Sequence, residues 1–138
     1  MAGFHRPTQD QRNTMVRKTV TVGVAGALTA SPTTPKARFL MPEAGEIVEV
    51  CGSVVTAPTD ASLILDVHVD GTTIYTTQGN RPTAATTVKD TTEAAAPEAG
   101  GVVEGSVIEV FVDQIGSTIA GSDLTVAITY IARAAHKS

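Results

Sequence analysis

Apolar and polar residues alternate along much of the chain, and this two-residue period is that of a β-strand with one buried face. The clearest example spans residues 62–70. One face carries Leu63, Leu65, Val67 and Val69, and the other carries Ser62, Ile64, Asp66, His68 and Asp70. Asp70-Gly71 then predicts a two-residue hairpin turn, with a returning strand over residues 72–77.

Weaker alternation predicts further strands over residues 15–24, 37–41, 102–113 and 124–131, and one that begins at Gly45. In the strand from Gly45, one face is expected to carry Val48, Val50 and Val54, and the other Ile47, Glu49, Cys51 and Ser53. In the strand over 102–113, the inward residues are expected to be Ile108, Val110 and Val112, and the outward residues Glu109, Phe111 and Asp113.

Residues 78–101 are predicted to form a long loop, with one weak strand near residues 86–92. Seven or eight short strands separated by turns favour an all-β fold, and the spacing is typical of an antiparallel, jelly-roll-like β-sandwich.

The composition supports this fold class. β-branched residues account for 46 of the 138 positions, against five leucines, and such residues suit a pleated sheet better than a helix. The chain has no run of 18 apolar residues that would predict a membrane span, and no apolar N-terminal stretch that would predict a signal peptide. Cys51 is the single cysteine, so synthesis in a reducing cytoplasm is expected.

The net charge of −4 is unevenly distributed. Residues 1–38 hold six basic residues against one acid, whereas residues 39–132 hold two against thirteen. An acidic body repels nucleic acid, so no nucleic-acid partner is expected. These boundaries predict an extended N-terminal arm over 1–14, a β-sandwich domain over 15–132 and a short basic tail over 133–138.

Candidate chemistry centres on the outward face of the strand that contains His68. His68 lies between Asp66 and Asp70, where the three side chains could share a metal ion. A zinc site needs three or four ligands, and the other histidines, His5 and His136, lie near the chain ends. A solvated or interface histidine is therefore favoured.

Four carboxylates are predicted to share that outer face, those of Asp66, Asp70, Glu109 and Asp113. They could form a calcium site or a glycosidase-like pair, but the chain has few aromatic residues and no tryptophan to line a sugar cleft. A solvated or intersubunit acidic face is favoured instead. Cys51 has no neighbouring histidine and is interpreted as a strand cysteine. No catalytic residue, metal or cofactor is predicted.

Three segments resemble a small β domain that recurs in virion proteins of tailed phages. They are ARFLMPEAGEI over residues 37–47, LILDVHVDGTTIY over 63–75 and DQIGSTIAGSDLTV over 113–126. The resemblance spans residues 37–131, and it implies a jelly-roll-like sandwich that is displayed on tails, fibres or capsids, is oligomeric and has no catalytic activity. The chain departs from the family at Asp60, where glycine is common, and over 84–101, which is longer and more acidic than usual.

The sequence thus favours a non-enzymatic phage structural protein that is made in the host cytoplasm and resides in the virion. The first hypothesis is a capsid decoration or cement protein on the outer surface of the head, as a homotrimer that binds the major capsid protein. The alternatives are a tail or fibre-tip subunit for host attachment and a carbohydrate-binding module that takes a host surface glycan. No membrane partner is expected, and a hydrolase lacks a nucleophile–base pair.

Interfaces with the head and with neighbouring copies are expected to use basic residues of the N-terminal region and the outward face around His68. The predicted interface residues are Arg6, Arg12, Arg17, Lys18, Asp66, His68, Asp70, Glu109, Phe111 and Asp113. Strand addition by residues 15–24 onto another subunit is a physical route to cementing. Deleting residues 1–24 is predicted to leave a folded sandwich that no longer binds heads.

Overall fold

The computed structural model describes residues 15–133, which form nine β-strands and one short 3₁₀ turn at Gln78–Asn80. The strands are β1 (Met15–Ala27), β2 (Ala37–Leu40), β3 (Gly45–Thr56), β4 (Leu63–Val69), β5 (Thr72–Thr73), β6 (Thr83–Ala84), β7 (Gly101–Val102), β8 (Val107–Gln114) and β9 (Ser122–Arg133). The N-terminal arm over 1–14 and all but the first residue of the tail over 133–138 lie outside the described residues.

The strands form two antiparallel sheets with the hydrophobic core between them. Sheet I has the order β1-β9-β3-β7, and sheet II has the order β2-β8-β4-β5, with β6 paired to β4. The apolar faces predicted for β4 and β8 supply core residues such as Leu65, Val67 and Val110, and β9 adds Val126 and Ile128. The prediction of an all-β antiparallel sandwich is confirmed.

The hairpin at Asp70-Gly71 is also confirmed. Asp70 has φ 51° and Gly71 has φ 91°, and two consecutive positive φ angles are what a tight hairpin turn requires. The returning strand β5 is shorter than predicted because Ile74 and Tyr75 leave the sheet and are fully buried. Asp60 has φ 66°, a left-handed conformation that favours glycine and that aspartate tolerates better than most residues.

Two assignments of faces and strands are wrong. Ile47 is fully buried although it was expected to face outward, because the register shifts between Ile47 and Glu49 and changes the face of the residues before it. The single strand expected over 102–113 is divided by a turn at Gly105, so that β7 joins sheet I and β8 joins sheet II.

The segment between β6 and β7 runs along the edge of β3 that faces away from β9. The Val54 amide donates to the Lys89 carbonyl (3.0 Å), and the Thr91 amide donates to the Gly52 carbonyl (2.8 Å). The expected strand near 86–92 is therefore reduced to isolated bridges, one of which joins Asp90 to Ser53. This segment covers one edge of sheet I.

Glu93 anchors that segment to the sandwich. Its carboxylate accepts hydrogen bonds from the Val50 amide (3.2 Å) and from the hydroxyl of Tyr75, a residue that is fully buried. Burial raises the pKa of Glu93, while the two hydrogen bonds act in the opposite direction. Burial also raises the pKa of Tyr75, so its hydroxyl stays protonated and donates.

Candidate interaction surfaces

The outer face of sheet II brings together most of the predicted interface residues. The pairing of β4 with β8 sets Asp66 opposite Phe111 and His68 opposite Glu109. Asp113 follows on the same face of β8, and Asp70 begins the turn after β4. The sequence therefore placed these side chains on one face correctly, but their environment differs from the expected solvated surface.

Asp66 is buried, with 3% of its surface exposed. Its Oδ1 accepts hydrogen bonds from the Val67 amide (2.8 Å) and the Thr73 hydroxyl (2.6 Å), and its Oδ2 lies 3.4 Å from His68 Nε2. The carboxylate is thus satisfied inside the chain. The expectation of a solvated acidic face is therefore wrong at Asp66, and the alternative of an intersubunit face stays a prediction.

Phe111 was expected on the outer surface and is instead 4% exposed. Its ring packs on the imidazole of His68, with centroids 4.2 Å apart and the planes inclined by 38°. Asp66 lies opposite Phe111 on the neighbouring strand, and His68 contacts both residues. Phe111, His68 and Asp66 therefore pack together on this face. His68 therefore lies half-buried on this face, between the Phe111 ring and the Asp66 carboxylate.

The remaining carboxylates of the face have partners within the chain. Asp113 Oδ2 lies 2.7 Å from Arg81 Nη1, and Glu109 Oε2 lies 3.5 Å from Arg38 Nε. Asp70 Oδ1 accepts from the Val107 amide at 2.9 Å and ties the hairpin turn to β8. Within residues 15–133, no group of three His, Cys, Asp or Glu side chains is placed to hold a metal ion.

The basic residues predicted for the interface divide between the arm and β1. Arg6 and Arg12 lie outside the described residues. Lys18 is exposed and pairs with Glu43 (2.7 Å), which also accepts from the Tyr130 hydroxyl (2.9 Å). The hydrogen bond from Lys18 and that from Tyr130 lower the pKa of Glu43. Arg17 is exposed and points to the outer face of sheet I.

The outer face of sheet I consists mainly of small, uncharged residues. On β1, exposed residues alternate with half-buried valines that pack against the core, and Thr19 contacts Thr129 of β9 across the strands (3.2 Å between hydroxyl oxygens). Cys51 lies on this face of β3, where burial and then the nearby acids raise its pKa. The thiol is therefore a poor nucleophile at neutral pH.

The strand over residues 15–24, for which the sequence suggested addition to another subunit, has a free outer edge, which we call the open edge. β1 is the terminal strand of sheet I and pairs only with β9 in the described part of the chain. A groove of about 360 Å³ lies across the second half of β1 and the neighbouring strands β9 and β3, lined by Gly23, Val24, Ala25, Val55, Asp123, Leu124 and Thr125. The signal for this edge was present in the sequence, since residues 19–27 contain neither a charge nor a proline.

A scan against protein-family models finds no match, and a search of curated proteins finds no significant match. Among solved structures, the chain is similar to a chain of the "Cyanophage Pam1 capsid asymmetric unit", with 17% sequence identity and a TM-score of 0.49. The similarity covers 96% of this chain and 91% of that chain. A likeness of this size carries no conclusion about function. Between residues 15 and 133, no helix has the length and hydropathy that crossing a bilayer requires.

Proposed function

We propose that the chain is a non-enzymatic structural protein of a bacteriophage virion, and that it decorates the outer surface of the head as a cement subunit. The strand order carries this proposal. The orders β1-β9-β3-β7 and β2-β8-β4-β5 are those of an eight-stranded jelly roll, an architecture that viral capsid domains use.

The position of the resembling segments adds support. The segment over 37–47 forms β2 and the start of β3, the segment over 63–75 forms the β4–β5 hairpin, and the segment over 113–126 leads from β8 into β9. These strands belong to both sheets. The resemblance to tailed-phage virion domains therefore extends over the framework of the sandwich and is not confined to one local motif.

A structural role also fits the state of the polar side chains. The carboxylates around His68 are engaged with backbone amides, hydroxyls and arginines of the same chain, and the pKa of Cys51 is raised. A catalytic site needs a nucleophile and a base that are free to meet a substrate. The internal pairing of these groups favours packing over catalysis.

The carbohydrate-binding alternative lacks exposed aromatic side chains in the described part of the chain. Sugar recognition uses such rings for stacking. Tyr75 is fully buried and Phe111 is 4% exposed, while Tyr130 is buried and Phe39 is half-buried. Among the described residues, no phenylalanine or tyrosine ring is fully exposed as a stacking platform.

In the proposed role, the basic arm over 1–14 contacts an acidic surface of the major capsid protein, and the sandwich stands on the outside of the head. The homotrimer stays a prediction that follows from the decoration role. The deletion that tests the arm must end before β1, because Val20, Val22 and Val24 pack against the core and the strand pairs with β9 along its length. Removing residues 1–24 would take away an entire edge of sheet I.

The experiment compares binding of the full chain and of a variant lacking residues 1–14 to undecorated heads of the encoding phage. We expect the full chain to cosediment with heads and the truncated variant to remain in the supernatant, with both giving the same circular dichroism spectrum. Immunogold electron microscopy of mature particles locates the protein. Label confined to the tail tip would contradict the decoration role and support the tail-subunit alternative.

A further inference from the structure

The two edges of sheet I differ in a way that the monomer does not explain. The edge at β3 is covered by β7 and by the segment over 89–93. The open edge of β1 runs over the 13 residues of Met15–Ala27, and no described strand pairs with its outer side. A long uncovered strand presents a row of unpaired amides and carbonyls to other chains.

The open edge also lacks the features that usually prevent such pairing. Natural edge strands carry charges, prolines or strong bulges, or are very short. Sheet II follows this pattern, since β2 has four residues and β5 and β6 have two each. In β1, the only charges are Arg17 and Lys18 near its start, and the register irregularity lies near its end, between Val24 and Ala27. The middle of the strand is unprotected.

The charges at the two ends of this edge are complementary. Arg17 is exposed near the start of β1 and points to the outer face of sheet I. Asp123 is exposed on the same face at the other end, where its Oδ1 accepts from the Gly26 amide (2.8 Å) and its side chain borders the groove beside Gly23 and Ala25. An antiparallel copy of β1 would bring a cation to this acid.

We propose that the open edge of β1 is a self-association site, at which a second copy of this chain adds its own β1 antiparallel and two-fold related. In this arrangement Thr21 lies on the axis and Arg17 of each copy stands opposite Ala25 of the other. Adjacent strands are about 4.8 Å apart, so the backbone at Asp123 of β9 lies about 9–10 Å from the backbone at the incoming Arg17, two strands away. The extended side chains of Arg17 and Asp123 together span this distance. Sheet I then continues through both copies.

This register satisfies the requirements of an isologous contact. The basic residues of the two copies lie at opposite ends of the joint strand pair, so like charges do not face each other. The half-buried valines Val20, Val22 and Val24 become more buried, and the stem of the incoming Arg17 lies along the groove. The contact differs from the homotrimer predicted from the sequence, and the mass in solution distinguishes the two.

The test begins with analytical ultracentrifugation of the full chain over a concentration series. We expect a reversible dimer with twice the 14.2 kDa mass of one chain. Thr21→Lys places two ammonium groups on the axis and is expected to weaken dimerisation by at least about tenfold. Thr92→Lys is the matched control, since it adds the same charge at an exposed threonine of the covered edge and should leave the dimer constant unchanged.

A double-mutant cycle tests the ion pair and does not depend on Thr21. Arg17→Gln and Asp123→Asn should each weaken the dimer, and the second change should add little in the presence of the first. Asparagine retains an acceptor for Gly26 and tolerates the φ of 56° at this position. In hydrogen–deuterium exchange, the backbone amides of residues 19–25 should exchange more slowly as the protein concentration rises.

Three results would overturn the proposal. A wild-type chain that stays monomeric at the highest concentration has no self-association site. A trimer whose mass Thr21→Lys leaves unchanged assembles through another surface. Additive effects of Arg17→Gln and Asp123→Asn would show that the two side chains do not meet across the contact.

Discussion

Replacing Glu93 with leucine should destabilise the sandwich, because this one carboxylate serves two donors from different parts of the fold. Tyr75 follows the β4–β5 hairpin, and Val50 lies in the middle of β3. Both residues are buried, and each donates a hydrogen bond to Glu93. Leucine has a similar length and no acceptor, so both donors lose their partner.

The expected size follows from the cost of leaving buried donors unsatisfied. Each such group costs about 1–3 kcal/mol, so the loss of both partners in Glu93→Leu should lower the free energy of unfolding by about 2–6 kcal/mol. Glu93→Gln retains an oxygen that accepts from both donors and removes the buried charge. It should therefore be much less destabilising than the leucine variant at every pH.

The comparison of wild type with Glu93→Gln has a defined dependence on pH. Because burial raises the pKa of Glu93 above its ordinary value of 4.5, the folded chain retains a proton here that the unfolded chain has already lost. The stability that this provides is full below the unfolded pKa and is lost as the pH rises through the folded pKa. Glutamine does not titrate, so the stability of Glu93→Gln relative to wild type should increase from about pH 4 to pH 7.

Urea unfolding followed by tyrosine fluorescence and circular dichroism, at several pH values in that window, measures all three chains. Subtracting wild type from Glu93→Gln cancels groups with the opposite trend, such as Glu98, whose pKa is lowered by hydrogen bonds from Thr77. A difference that stays constant or falls with rising pH would refute the buried-carboxylate account. A leucine variant as stable as the glutamine variant would refute the hydrogen-bond account.

Two further substitutions test the packing and the polar face. Gly100→Ala should destabilise the chain by about 1–3 kcal/mol in urea unfolding, because the added Cβ would overlap the carbonyl oxygen of Ile47. Gly101→Ala is the control, since its Cβ would meet nothing within 4 Å and should have little effect. Equal effects of the two substitutions would contradict the close approach of Gly100 to Ile47. Arg81→Ala should lower the free energy of unfolding by about 1–2 kcal/mol, since Asp113 loses a charged hydrogen-bond partner at a largely buried position. In a chain that already carries Asp113→Asn, the same substitution should cost less stability. Equal costs in the two backgrounds would show that Arg81 and Asp113 are not coupled.

Alternation along the sequence predicted the strands that carry a regular two-residue pattern, and it failed where that pattern is broken by backbone geometry. The inward residues of β4 and β8 were assigned correctly: from Leu63 to Val67 and from Ile108 to Val112, every residue predicted to face inward is fully buried. The register shift before Glu49 was hidden, since Ile47 and Val48 are both apolar and either could face the core. Periodicity carries no information on a bulge that exchanges two similar residues.

The sequence predicted where the polar side chains on the outer face of sheet II lie, but not how deeply they are buried. Alternation placed Asp66 and Phe111 outward, and they do lie on the outer face of sheet II. Their burial depends on partners from other elements, such as Thr73 on β5, and Asp113 is paired with Arg81, 32 residues away in the sequence. A pattern read along one strand cannot show which distant side chains arrive on its outer face.

The order of strands has a consequence for how the chain is synthesised. β9 and β8, which lie in the interior of sheets I and II, are the last two of the described strands to be synthesised. Until they emerge, β1 and β3 have no central strand to pair with, and neither do β2 and β4. Neither sheet can therefore be completed during translation, and folding must wait for the C-terminal strands, with a large loop-closure cost. A stop codon before residue 122 would yield a chain that lacks the central strand of sheet I, and such nascent chains should be protease-sensitive throughout.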